Sequence, residues 1–229
     1  VKYCVFVANA LPRINSKLLD RMRRTTLTKL LSKAKKITLT NLVNFLLNRL
    51  AEISVGIAPA LFILAGGEKS ISYNRYPTSP ETEILWLHTL DYDLYLKEKD
   101  TLSQVENNTG VFLDEYVPFH PDYSYYNTSP YSTAEEYYPL LRNFFDFLES
   151  KYHVRIVIAA HPRSNYEEYP DYFGGRLAIK GKTIELVKKS EFVIAHSSTA
   201  INFAVLFKKP VIFVTTNKLR QSGQSALID

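Results

Sequence analysis

The sequence predicts an α/β protein whose second half is a parallel sheet with helices on both faces, and three observations carry that expectation. The runs 156–160 and 192–195 are short, apolar and rich in β-branched residues, as strands buried on both faces are. Each stops abruptly at a polar cluster, His161-Pro162-Arg163-Ser164 in one case and His196-Ser197-Ser198-Thr199 in the other. Between them apolar residues return with helical spacing, so that strand and helix alternate from Val111 to Val214, half of a doubly wound sheet. Ligands of such sheets bind just beyond the carboxyl ends of the strands, where both clusters fall.

In chain order, 1–8 reads as a strand, 15–35 as a helix and 37–53 as a second amphipathic helix with Leu42, Val43, Phe45, Leu46, Leu47 and Leu50 inward. The apolar stretch 55–65 is broken by Gly56 and Pro59 and is too short to span a bilayer, so a packed loop or helix ending at the Gly66-Gly67 turn is expected. The pattern ILWLHTLDYDLYL from Ile84 predicts strands, with Asp91 and Asp93 on one solvated face. Polar residues 97–110 follow, and the domain boundary is placed there, giving an N-terminal α/β domain over 1–105 and a C-terminal one over 106–229.

The second domain opens with the strand Val111-Phe112-Leu113, which runs into Asp114-Glu115-Tyr116. A Pro- and Tyr-rich loop covers 117–131 and includes Phe119-His120-Pro121-Asp122; its length marks it as functional. Ser132-Thr133 with Glu135 and Glu136 reads as a capped helix start, and the helix to Tyr152 buries Tyr138, Leu141, Phe144, Phe145 and Leu148. After the His-Pro strand comes a Tyr-rich excursion to Gly174-Gly175, a short helix over 182–189, the strand ending at His196, a helix and a fourth strand over 211–214. The chain then turns polar, and a truncated C-terminus is expected.

A hydrophobic content of 46% against 22% charged residues is that of an ordinary folded domain, with 229 residues enough for one large or two small cores. Cys4 is the one cysteine, so no disulfide forms within the chain, as fits a reducing compartment. No secretory leader is read at the start. The net charge of +5 is concentrated between Arg13 and Lys36, where nine Lys or Arg face a single acid, Asp20. Interleaved leucines give that helix an apolar side, so it is either a solvated helix face or a surface for anionic lipid. No nucleic-acid-binding motif accompanies the charge, and no nucleic-acid partner is expected.

Ser197-Ser198-Thr199 stand where a helix begins, either capping its amides or offering them to an anion such as phosphate. His161 is an imidazole titrating near neutrality at a neighbouring strand end, suited to a phosphate leaving group, with Arg163 as a further contact. His196 either points into the same cleft or packs behind it. Asp91-Tyr92-Asp93 reads as a surface pair, and no His/Cys set has zinc spacing, so neither metal nor cofactor is expected.

An acidic pair, a His-Pro strand end and a Ser-Ser helix start, in that order within one half, resemble the three motifs of bacterial sialyltransferases and of related Kdo and capsule-polysaccharide transferases of the GT-B fold. More loosely, the layout is similar to CDP-glycerol glycerophosphotransferases. The resemblance covers roughly 111–216 and implies a GT-B-like protein of two Rossmann-like halves. It implies a transferase that moves a sugar from a nucleotide-activated donor, CMP-sugar favoured, to a cell-surface glycan. Asp114 or Glu115 would then deprotonate the acceptor hydroxyl, although Tyr116 stands where the family usually has Gly. His161, within His161-Pro162-Arg163, would contact and protonate the departing phosphate, which Ser197 and Ser198 would bind through their amides. Thr199 and His196 would complete the donor side, and His120 would line the acceptor side. The expected place is cytoplasmic, at the inner face of the membrane if 13–36 touches lipid. Two other classes remain open: a nucleotide- or glycan-binding module without turnover, and a sugar-nucleotide epimerase.

Overall fold

The computed structural model describes residues 2–7, 58–71, 74, 76–125, 127–168 and 171–222, which form two compact units, Val1–Thr89 and Leu90–Asp229. The helices expected over 15–35 and 37–53, with the basic stretch 13–36, lie outside the described residues. No helix among the described residues is long and apolar enough to cross a membrane.

The first unit contains a parallel sheet of β1 (Cys4–Phe6), β2 (Phe62–Ala65) and β3 (Glu83–Trp86), in that order, with the short α1 (Glu68–Ile71) after β2. Val5, Val7, Ala60, Ile63 and Ala65 form its buried centre. The expectation of a loop or helix over 55–65 is corrected here, because Ile63 and Ala65 alternate inward as the middle strand of this sheet.

The second unit begins with α2 (Leu90–Glu98), which the sequence reading placed in the first domain and read as strand. Only 83–86 of that pattern is extended. Residues 90–98 are helical, with Asp91 and Asp93 in the first turn where the helix dipole favours acids. They belong to the second unit through side chains. The Tyr95 ring meets Phe207 at 5.0 Å, Asp91 Oδ2 accepts from Asn202 Nδ2 at 2.8 Å, and Lys188 Nζ donates to the carbonyls of Glu98 and Thr101.

The body of this unit is a five-stranded, all-parallel sheet. It comprises β4 (Thr109–Leu113), β5 (Arg155–Ala160), β6 (Ala178–Lys180), β7 (Phe192–Ala195) and β8 (Val211–Phe213), in the spatial order β6-β5-β4-β7-β8. The chain starts at the centre, builds outward to β6, then returns to the other side of β4, which is a Rossmann-like order with its reversal between β4 and β7. β6 is absent from the sequence reading, being three residues at the sheet edge, none of them fully buried.

Alternation along β4 explains why both faces are covered. Phe112, with Ile158 and Ile194 beside it in register, packs under Tyr137, Tyr138, Leu141, Phe145 and Leu148 of α4 (Ala134–Tyr152), after the single turn α3 (Asp122–Tyr125). Val111, Leu113, Ala159, Val193 and Ala195 point the other way, onto Val187 of α5 (Thr183–Lys189) and onto Phe203 and Ala204 of α6 (Ile201–Leu206). Leu219 of α7 (Asn217–Ser222) joins the α4 side. Each large side chain so buried contributes about 1.5–3 kcal/mol. The hydroxyl cap expected at the start of α4 is not made: Thr133 is the N-cap by position, but its side chain caps no amide.

Candidate active site

All three motifs end on adjacent strands. Asp114-Glu115 follows β4, His161 follows β5 and His196-Ser197-Ser198 follows β7, so the acidic pair at the centre touches both neighbours at the point where the strand order reverses.

Asp114 is 4% exposed, and no cation is paired with it among the described residues. Its Oδ1 accepts the Tyr116 N–H at 2.9 Å, and its Oδ2 accepts the His161 N–H at 3.1 Å and the Tyr166 O–H at 2.8 Å. Burial raises its pKa; the hydrogen bonds oppose this without reversing it. The Tyr166 oxygen in turn accepts from Tyr138, 3.1 Å away, and burial drives both phenol pKa values far up, so the rings stay neutral. Asp114 is thus a brace from the tip of β4 to the tip of β5. The turn it holds puts Tyr116 at φ 52°, in the left-handed region that glycine enters most easily. Tyr116 keeps that conformation by its bond to Asp114 and by its hydroxyl bond to Asn165.

Glu115 turns toward β7. The Ser197 N–H donates to Oε1 at 2.6 Å and the Ser197 hydroxyl to Oε2 at 3.1 Å, and the Ser198 amide adds a further bond. Burial nevertheless raises the Glu115 pKa above its ordinary value. The expectation that the Ser197 and Ser198 amides receive a phosphate is therefore altered: in this structure they receive a carboxylate of the chain itself. A half-buried acid beside strand-tip amides finds in them its best compensation. Ser198 Oγ also accepts the Ala200 N–H at 3.3 Å, a turn bond before the helix; the capping role weighed for it is not made, because Ala200 is the N-cap of α6 and no side chain caps it, and Thr199 is exposed.

His161 is half-buried, its ring lying parallel to Tyr116 at 6.3 Å and 5.0 Å from the ring of His120. Its Nδ1 accepts the Arg163 N–H at 3.2 Å, which leaves the neutral ring's proton on Nε2. Burial lowers its pKa, as do His120 and Arg163. Pro162 and Arg163 are exposed, and Arg163 Nη1 stands 3.6 Å from the Asp122 carboxylate.

One assignment changes. His196 is 3% exposed and its ring meets Phe112 in a T-shaped contact. Its Nδ1–H donates to the Val214 carbonyl at 2.7 Å, so Nε2 accepts the Tyr137 O–H at 2.8 Å. With both nitrogens used and the pKa lowered by burial, it joins β7 to β8 and α4. The ring of His120, expected on an acceptor side, lies 5.0 Å from that of His161. Sequence reasoning missed Tyr166 and Asp122. Tyr166 had no signal beyond the Tyr-rich excursion, whereas Asp122 closes a second His-Pro-X turn that the sequence does show.

Among the described residues no three His, Cys, Asp or Glu side chains are grouped so as to hold a metal ion. Comparison of the chain with known protein families and with curated proteins gives no match.

Proposed function

We propose that this chain is a GT-B-type glycosyltransferase that moves a sugar from a nucleotide-activated donor, a CMP-sugar, to a hydroxyl of a glycan acceptor without a metal. One observation supports this above the rest: a raised-pKa carboxylate, Glu115, and an imidazole with its proton on Nε2, His161, stand at neighbouring strand tips, Glu115 held by Ser197 of the β7 tip and the His161 amide held by Asp114 of the β4 tip.

In this reading Glu115 takes the proton of the acceptor hydroxyl while that oxygen attacks the anomeric carbon. Burial makes it a stronger base than a solvated carboxylate, and Ser197 keeps it aimed. The bond from the anomeric carbon to the phosphate oxygen breaks, the electron pair leaves with the phosphate, and the His161 Nε2–H donates a hydrogen bond to that oxygen as negative charge collects there. Asp114 touches no substrate; by holding the His161 amide it sets where the ring stands. Work at the inner face of a membrane, with 13–36 against lipid, belongs to the same reading.

A second reading, binding of a nucleotide or glycan without turnover, is favoured by one fact: both Glu115 oxygens are already engaged. A melting screen with CMP, CDP, UDP and GDP tests the ligand class common to both. A nucleotide at ~100 times its dissociation constant adds ~2.7 kcal/mol. The proposal expects CMP to raise the melting temperature. A shift with UDP alone discards the cytidine assignment, and none with any nucleotide discards the site.

A further inference from the structure

The dipeptide His-Pro occurs at His120-Pro121 and at His161-Pro162, and the fold sets the two against each other, ring centroids 5.0 Å apart and planes at 64°. Both turns are built alike. His120 Nδ1 accepts the Asp122 N–H at 3.3 Å as His161 Nδ1 accepts that of Arg163 at 3.2 Å. A ring nitrogen that accepts an N–H carries no proton of its own, so both neutral rings hold theirs on Nε2. Neither Nε2 bonds to a described residue. Asp122 joins the turns, its carboxylate 3.6 Å from Arg163 Nη1. Backbone thus fixes both rings, with Tyr116 stacked on His161 and Tyr123 edge-on to His120.

We propose that His120 and His161 form a two-imidazole clamp on one phosphoryl group, with His120 a second phosphate contact beside the one already assigned, a role that rests on the donor reading for what carries that phosphate. Rings in contact with centroids 5.0 Å apart keep their two Nε2–H groups within the span of one phosphoryl group, so that each can donate to a different non-bridging oxygen at an ordinary hydrogen-bond length. A sugar-stacking role needs an open ring face, and the His120 side chain is 26% exposed, with His161 and Tyr123 about it.

The chain has five histidines, few enough to follow each Cε1–H by NMR in the intact protein. Inorganic phosphate, CMP and cytidine are the probes, with His120→Asn as the variant, since Asn keeps an acceptor for the Asp122 amide and removes the Nε2 donor. Phosphate and CMP are expected to shift both His120 and His161 while cytidine shifts neither. His120→Asn is expected to weaken CMP about tenfold, the size of one charge-assisted hydrogen bond. A shift confined to His161, with CMP affinity unchanged in His120→Asn, overturns the clamp and leaves the donor reading standing. Shifts of both rings with phosphate, but CMP binding no tighter than phosphate, support the clamp and overturn the nucleotide. No shift at either ring with either probe overturns both.

Discussion

The carboxylate of Glu115 lies on the backbone amide of Ser197, 2.6 Å from its nitrogen, although the two residues are 82 apart in sequence and leave different strands. A negative charge therefore occupies the β7 tip in the free protein, held by two amides and a hydroxyl but short of water. Glu115→Gln keeps the shape and an acceptor while removing that charge. Because the folded pKa is raised, the ionised acid costs stability as pH climbs above its unfolded value near 4.5. The variant is expected to melt at or above wild type at pH 7, and a transfer assay should show turnover lower by about 10²- to 10⁴-fold.

Asp114 accepts three hydrogen bonds, from Tyr116, His161 and Tyr166, and an amide offers only one oxygen to receive them. Asp114→Asn turns an N–H toward at least one of those donors. Urea unfolding should show a loss of about 1–3 kcal/mol, with Tyr166→Phe losing less because it removes only one donor. CMP affinity should fall in Asp114→Asn as the His161 turn loosens.

His196 accepts from Tyr137 and donates to Val214, and burial lowers its pKa. Below about pH 6.5 the unfolded chain takes up a proton that folded His196 refuses, so stability falls as pH drops from the unfolded value toward the folded one. One such group changes unfolding free energy by at most ~1.4 kcal/mol per pH unit. His196→Asn, which keeps a donor for Val214, is expected to be less stable at pH 7.5 yet to lose less on acidification to pH 5.5. Denaturant midpoints across that range measure the slope, and equal slopes would remove His196 from the explanation.

Gly110 pairs with Phe192 across β4 and β7, and a Cβ at Gly110 would come within 2.3 Å of Phe192 Cζ. Gly110→Ala is expected to cost about 1–3 kcal/mol by overpacking, and Phe192→Leu in the same chain should recover part of it. Additive losses in the double variant would contradict the contact.

How much of this the sequence shows depends on which interaction decides each element. β4, β5 and β7 are legible because central parallel strands are buried on both faces and so read as unbroken apolar runs. α2 misreads as strand because Leu90, Tyr92, Leu94 and Leu96 alternate as well as they recur at helical spacing, and contacts made on folding decide between the two, among them Tyr95 against Phe207 and Asp91 with Asn202. β6 has too little apolar surface to leave a signal. At the site, the strand-end placement of Asp114, Glu115, His161 and Ser197 is legible from where the apolar runs stop. The pairing of Glu115 with Ser197, the withdrawal of His196 and the meeting of His120 with His161 are not, since each depends on which way a side chain turns after its strand ends.

The most direct test of the central claim is CMP release from a panel of CMP-sugars, followed with and without a glycan acceptor. Glycosyl transfer predicts slow release into water by the wild type, faster release with acceptor, and loss of both in His161→Ala while that variant still folds. Tight CMP binding with no release from any donor, or release untouched by His161→Ala, would contradict it.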